Sequence, residues 1–568
     1  MMLNRFTVQR RLAVLMVFML SACSNAWAKE ASVILINGKV WTVNPAQPVA
    51  QAVALDGNTI LAVGSDAEIR KLAGPGTRTI DLAGRLLLPG FNDSHVHFLP
   101  GGGSLIAVQL RDSTSQGDFR DRIARYAKTL PTGAWIRGGT WDHQSWNPPV
   151  LPDRQLIDAA SDGHPAFLQR IDGHMALANS LALKLAGIGR DTPNPPGGEI
   201  DRDNHGNPTG ILRDAAAALV ERIMPPPSPE EQDRAMEAAM HEAARHGVTS
   251  VQNMANSPDD PTQPANFREF QKFAREGRLT VRIYESMPLR NWKTLADLGV
   301  VAPFGNATLR LGNLKEFADG ALGSETAWMD EPFANHPDSS GISSADLEHP
   351  EQFYAMLHGA DKAGLQISIH AIGDRANRTI LDLYARLEHD DGPADRRLRI
   401  EHAQHLHPAD IARFPQLHVI ASMQPYHAID DGRWAETLLG PERIKTSYAW
   451  RSLLDAGATL AFGSDWPVAP LDPVLGIYAT ATRRTLDGKN PHGWVPDERI
   501  TVAQAVHAYT MGSAFAEHQE KVKGSIEPGK LADLVVLSDD IFTIPPEAIE
   551  KTKVDLTIFD GRIVFERE

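Results

Sequence analysis

Two histidines one residue apart close the stretch Leu86-Leu-Leu-Pro-Gly-Phe-Asn-Asp-Ser-His-Val-His97. On an extended strand residues i and i+2 point the same way. His95 and His97 can therefore offer neutral imidazole nitrogens to one cation. The pair alone decides little, because a chain with 21 histidines makes such pairs by chance, and a second, His405-Leu-His407, is present. Four later runs change the weight. Residues 311–315, 365–370, 398–402 and 460–465 are apolar or mixed, and they close on Lys315, His370, His402 and Asp465. Two His, a Lys, two more His and an Asp, each ending a short strand, would line one cage for two metal ions. Asp465 is preceded at its own parity by Ala461 and Gly463, small residues that leave room for such a centre.

These side chains need a scaffold that brings strand ends together. Helix-like stretches separate the runs, as in a βα repeat, and in a (β/α)8 barrel the C-terminal strand ends converge on the active site. The count reaches eight: a first strand ending at the His95/His97 pair, then 247–251, 279–284, the runs closing on Lys315, His370 and His402, 418–424, and the run closing on Asp465. Residues 497–516 read as a helix capped by Thr501. Residues 110–239 hold Trp135, Trp141 and Trp146 and a Pro- and Gly-rich stretch at 193–210. That is too long for a βα connection, so it reads as a subdomain inserted after the first barrel strand, over the mouth. Both ends of the chain read as strands. Asn37-Gly38, Asp56-Gly57 and Asp560-Gly561 are hairpin signals, and one small β-sandwich built from both termini accounts for them. The expected order is a signal segment (1–22), sandwich (23–88), barrel start (89–109), insert (110–239), barrel (240–516) and sandwich again (517–568).

The ordered phrases Pro89-Gly-Phe-Asn-Asp-Ser-His-Val-His97, Asp172-Gly-His174, Lys315-Glu-Phe-Ala-Asp-Gly320, His370-Ala-Ile-Gly-Asp374, Glu401-His-Ala-Gln404, Gln424-Pro425, Gly463-Ser-Asp465 and Pro528-Gly-Lys-Leu-Ala-Asp533 cover nearly all of the chain after residue 30. Their set resembles the metal-dependent amidohydrolase superfamily, and within it the branch containing N-substituted formamide deformylase. The resemblance implies an α/β fold, a (β/α)8 barrel carrying the terminal sandwich. It implies metal ligands His95, His97, Lys315, His370, His402 and Asp465, with two zinc ions as the expected cofactor. An ammonium cannot ligate a cation, and Lys315 would otherwise be an ordinary lysine paired with Glu316 or Asp319. The resemblance implies instead that CO2 carbamylates it into a bridging ligand. Asp465 is then the proton carrier in hydrolysis of a non-peptide amide, an N-acyl or N-formyl amine being the first expectation. Ester hydrolysis, or an inactive exported binding protein, are the alternatives. His174 is expected at the substrate or its oxyanion, against a histidine satisfied within the insert; Arg170 and Gln424 are expected substrate contacts. Trp141 and Asp142 read as structural, His405 and His407 as supporting or solvated, and His427 as a residue of the rim at the mouth, with a substrate contact as the alternative. Glu401 is expected to face away from His402 by strand alternation.

Composition excludes other classes. A net charge of −15 argues against a nucleic-acid partner, whose phosphates demand basic surface. The expected partner is a small-molecule amide. Arg5, Arg10 and Arg11 precede an apolar run at 12–20, as in a secretory signal too short to span a membrane. Leu20-Ser-Ala-Cys23 resembles a bacterial lipoprotein box, and Ala26-Trp-Ala28 an ordinary cleavage site. Cys23 is the only cysteine, so it is lipidated or removed with the signal. Lipidation is the expectation, with an exported, periplasmic, membrane-anchored protein as its consequence.

Overall fold

The computed structural model describes residues 30–143, 146–170, 175–195, 198–214, 216–258, 260 and 262–568. The calls on Cys23, the signal segment and His174 lie outside the described residues. Eight parallel strands form the central sheet: β1 (Phe91–Val96), β2 (Val248–Asn253), β3 (Arg282–Pro288), β4 (Leu309–Phe317), β5 (Gln366–Ala371), β6 (Arg399–His402), β7 (Ile420–Met423) and β8 (Thr459–Phe462). They pair in chain order, and a parallel bridge between Val96 and Trp466 carries the last strand back to the first. The barrel strands are buried along nearly their whole length, as a parallel sheet covered by helices must be. At the barrel's N-terminal end Glu517 is buried between Arg310 and Lys523, with Asn92 donating to it at 2.6 Å. Buried charge there is paired, as burial requires, and belongs to the face of a barrel that reads as stability.

The two ends of the chain share one sheet. Its order is Arg562–Glu566, Val554–Phe559, Leu534–Leu537, Leu86–Pro89, Lys39–Trp41, Val49–Ala50. A second sheet runs Thr59–Gly64, Ala52–Asp56, Ala31–Ile36, Ala73–Asp81. Asp56-Gly57 and Asp560-Gly561 each turn a true antiparallel hairpin. A Cβ on Gly561 would stand 1.9 Å from the Gly57 carbonyl, so the two turns touch where only glycine fits. Asn37-Gly38 is different. The strands on either side of it lie in different sheets, so the left-handed Asn37 (φ 56°) marks a crossover between layers, not a hairpin. Arg282 fastens sandwich to barrel with a two-pronged contact to Asp533 at 2.6 and 2.9 Å and a third to Asp560.

The insert builds its own six-stranded sheet from Val108–Gln109 to Pro208–Asp214. Trp141, Trp146 and Phe119 pack in its core. The helix Pro229–Arg245 instead sends Met236, Ala239 and Ala243 into the barrel core. The insert thus closes before Pro229 and not at residue 239, because an amphipathic helix is assigned by the face it buries and not by its sequence neighbours.

That helix ends at His246, which sits between Glu242 (3.2 Å) and Asp472 (3.3 Å), the cap of helix Pro473–Thr482. Burial alone would lower its pKa, but bonds to Asp472 and Glu242 carry it up to about 9 from 6.5. Arg245 Nε lies 3.1 Å from His246 Nε2 and 3.2 Å from Glu242. The folded pKa is raised, so this stabilisation is complete below the unfolded value of 6.5 and is lost as pH rises through about 9. At 1.36 kcal/mol per pH unit, the rise from 6.5 to about 9 amounts to roughly 3 kcal/mol. His246→Ala is expected to lower Tm by several degrees at pH 6.5 and by little at pH 9.5; an equal loss at both values would show that packing, not charge, is what His246 contributes.

Candidate metal centre

The structure brings His95, His97, Lys315, His370, His402 and Asp465 to the C-terminal ends of β1, β4, β5, β6 and β8. His95 Nε2 and His97 Nε2 converge on Asp465 Oδ1 at 3.5 and 3.2 Å. The rings of His95 and His402 are 5.0 Å apart and those of His370 and His402 4.5 Å. The ligand atoms of His95, His97 and Asp465 all lie within 4.8 Å of one another.

Each histidine has one ring nitrogen already engaged. His95 Nδ1 bonds Glu401 at 2.7 Å, His97 Nδ1 the Met254 carbonyl at 3.2 Å, and His402 Nδ1 the Gln424 side-chain oxygen at 2.7 Å. In all three, Nε2 is left for the centre. His370 is reversed: its Nε2 bonds the Gly320 carbonyl at 3.0 Å, leaving Nδ1. An acceptor behind each ring fixes its tautomer and aims the other nitrogen, the arrangement that metal-ligating histidines require. Burial, reinforced by the charge of Lys315, pushes His95 down to about 4 and His370 to about 3. Burial likewise holds His402 well below its ordinary value. These three rings are therefore neutral, as ligands must be. Burial opposes ionisation of Asp465, yet the surrounding His95, His97 and His402 hold its carboxyl well below the usual range. Four imidazoles, three of them buried and held neutral, together with one carboxylate fit divalent metal.

Lys315 is buried, and neither Glu316 nor Asp319 pairs with it. Glu316 accepts from the Phe317 amide; Asp319 accepts from the Trp328, Ile372 and Gly373 amides. Among the described residues Lys315 has no ion pair within 4 Å, and its Nζ lies 4.5 Å from the centre of the Phe317 ring. Burial draws its pKa down to about 8, which places a share of neutral amine near neutrality.

Local backbone explains who points inward. His402 adopts φ 72°, which breaks the strand alternation at the end of β6. Glu401 therefore does not face away: it is fully buried, orients His95, and is itself held by Arg399 at 2.8 Å. Arg399 also bonds Gln252, the Ser94 carbonyl and Ser422, so one guanidinium ties β1, β2, β6 and β7 beneath the centre. Asp93 accepts from the amides of His95 and Ser464 at 3.1 and 2.9 Å, locking β1 to the turn that carries Asp465. A Cβ on Gly463 would meet the His95 nitrogen at 2.5 Å and Asp93 at 2.7 Å, so this turn needs glycine. Gln424 is buried and serves His402. Arg170 lies in the insert, paired with Asp142 at 2.7 Å. His405 is buried on Ser447 and Gln404, and His407 caps the helix Pro408–Ile411. His427, expected at the rim, comes within 3.9 Å of Asp465.

A barrel with this inward histidine set defines a metal-dependent hydrolase fold, and the comparisons agree. The amidohydrolase family model matches residues 78–565, and the chain belongs to that family. It is 40% identical to protein LONG AFTER FAR-RED 3 of Arabidopsis thaliana over 89% of this chain and 87% of that one. It is 29% identical to the N-substituted formamide deformylase of Arthrobacter pascens over 94% of this chain and 98% of that one. Among solved structures, an uncharacterized metal-dependent hydrolase from Pyrococcus furiosus superposes with TM-score 0.74 at 28% identity, over 90% of this chain and 100% of that one.

Proposed function

We propose that this protein hydrolyses a non-peptide amide bond, an N-formyl or N-acyl amine, with two zinc ions. One observation carries the reading: each of the four histidines has one ring nitrogen engaged by a hydrogen bond, and the other nitrogens of His95 and His97 converge on Asp465. His95, His97, His370, His402 and Asp465, with a carbamylated Lys315, would hold the ions. Imidazole-rich donor sets suit zinc. Metal in such a site polarises a carbonyl and makes hydroxide available near neutral pH. The chain's own residues do the rest. Glu401, Gln424 and the Met254 carbonyl keep the rings oriented. Asp465 takes the proton of the attacking water and passes it to the leaving nitrogen. His174 is proposed to steady the oxygen of the tetrahedral stage, and Arg170 to meet the substrate at the mouth. The deformylase relative, similar over nearly the whole chain, supports an N-formyl amine as substrate. The test is the purified protein stripped of metal, reloaded with zinc, and screened against N-formyl amines, N-acyl amines, cyclic amides and esters. Metal-dependent amide turnover is expected; an active preparation free of metal would sink the mechanism.

The site of action is proposed to be the periplasmic side of a bacterial membrane, through lipid on Cys23. Several acyl chains anchor stably where one does not, so Cys23→Ser is expected to move the protein from the membrane to the soluble fraction on cell fractionation. A wild-type mature mass beginning at Lys29 without lipid would refute the anchor.

A further inference from the structure

His427 lies in the first turn of the helix Pro425–Asp431, directly after β7. Among the described residues its Nε2 is buried without a hydrogen-bond partner, an exception that a native structure has to account for. It stands 3.9 Å from Asp465 Oδ2. The two carboxylate oxygens are thus divided: Oδ1 faces His95 and His97, and Oδ2 faces His427. A separation of 3.9 Å is too long for a hydrogen bond. It is short enough for one atom beside the line to bond both groups at ordinary distances. The ring is held nearly parallel to that of His402, 11° between planes at 6.3 Å. Asp431, one helical turn on, is fixed by Tyr448 at 2.6 Å and Gln404 at 2.8 Å.

The atom that suits this gap takes a proton from a carboxyl and offers a hydrogen to an imidazole. A scissile secondary-amide nitrogen, pyramidal in the tetrahedral stage, has one lone pair and one hydrogen. An ester oxygen and a tertiary-amide nitrogen lack the hydrogen. We propose that His427 Nε2 accepts the N–H of the scissile bond and so selects secondary amides. The inference rests on the amide-hydrolase reading and adds the residue that sets its substrate class. The water oxygen bonds the carbonyl carbon and the C–N bond breaks. The proton held on Asp465 Oδ2 moves to nitrogen, and the amine departs with its original hydrogen still directed at His427. The products are one carboxylic acid and one primary amine, with no change of oxidation state. A site built to bond an N–H rejects analogues that lack it, because its own acceptor is then left unpaired.

The test uses the zinc-loaded full chain and a matched trio: the best secondary amide of the screen above, its N-methyl derivative, and the ester of the corresponding alcohol. His427→Ala is expected to lower kcat/KM for the secondary amide on the order of 100-fold, to leave the other two within a few-fold, and to keep zinc per chain unchanged. His427→Gln, which returns an acceptor oxygen, is expected to recover part of the loss. An equal fall for all three substrates, or a loss of zinc in His427→Ala, overturns the proposal and makes the residue structural or a ligand. A wild-type protein inert toward every amide and ester would overturn the hydrolase reading beneath it, a result distinct from either.

Discussion

Asp465→Asn is expected to reduce kcat by about 10²–10⁴-fold, the range assigned to a positioned acid–base group, with the fold intact and zinc still present. The substitution is isosteric and retains an oxygen that His97 can approach, so it separates geometry from proton transfer. What it removes is the anion that takes a proton from water and returns it to nitrogen. His95→Ala should be equally inactive for another reason, loss of metal, because it deletes a ligand and strips Glu401 of its only histidine partner among the described residues. Measuring zinc per chain beside kcat separates the two. An Asn variant that keeps its metal and turns over within tenfold of wild type would remove Asp465 from the mechanism.

That these side chains would meet was legible because strands of a parallel barrel are short apolar runs and their ends converge on one face. Lys315, His370, His402 and Asp465 all end such runs. What strand parity misses is the residue just past regular geometry. Glu401 was read as facing outward because period-two alternation assumes extended backbone, and the left-handed His402 breaks it. Asn37-Gly38 has the local chemistry of a hairpin, yet a dipeptide cannot reveal that the next strand joins another sheet. The end of the insert was misplaced for a similar reason: nothing in the composition of 215–239 says which core the helix Pro229–Arg245 will meet. His427 had one signal, Pro425 at a helix start two residues before it. A helix entered directly from a barrel strand begins at the mouth, so its first turn faces the centre. Gln424 shows the converse: its position at the end of β7 was readable, while its bond to His402 needed the coordinates.

Lys315→Ala is expected to cost one of two zinc ions and nearly all turnover, and a small carboxylate is expected to restore part of both. As an ammonium, Lys315 lowers the proton affinity of His95 and His370 by its positive charge and would repel a dication beside them. The proposed carbamylation would reverse that sign and make the same position an anionic ligand, and a pKa drawn down to about 8 by burial would supply the neutral amine for reaction with CO2. Removing the side chain leaves the second ion short of one negative charge and two oxygens. Formate or acetate carries both and is small enough for the space the lysine stem vacates. Titration of zinc into metal-free protein, with and without formate at roughly five times its Kd, where linkage is worth about 1 kcal/mol, reads the effect without reference to turnover. Lys315→Arg sharpens the result, since it keeps a cation over the Phe317 ring but forms no carbamate; it should behave as Ala without rescue, because its side chain still fills the space. A Lys315→Arg protein with two zinc ions and normal activity would mean that the lysine acts only as a cation packed on an aromatic ring, and the bridge assigned to it would not exist.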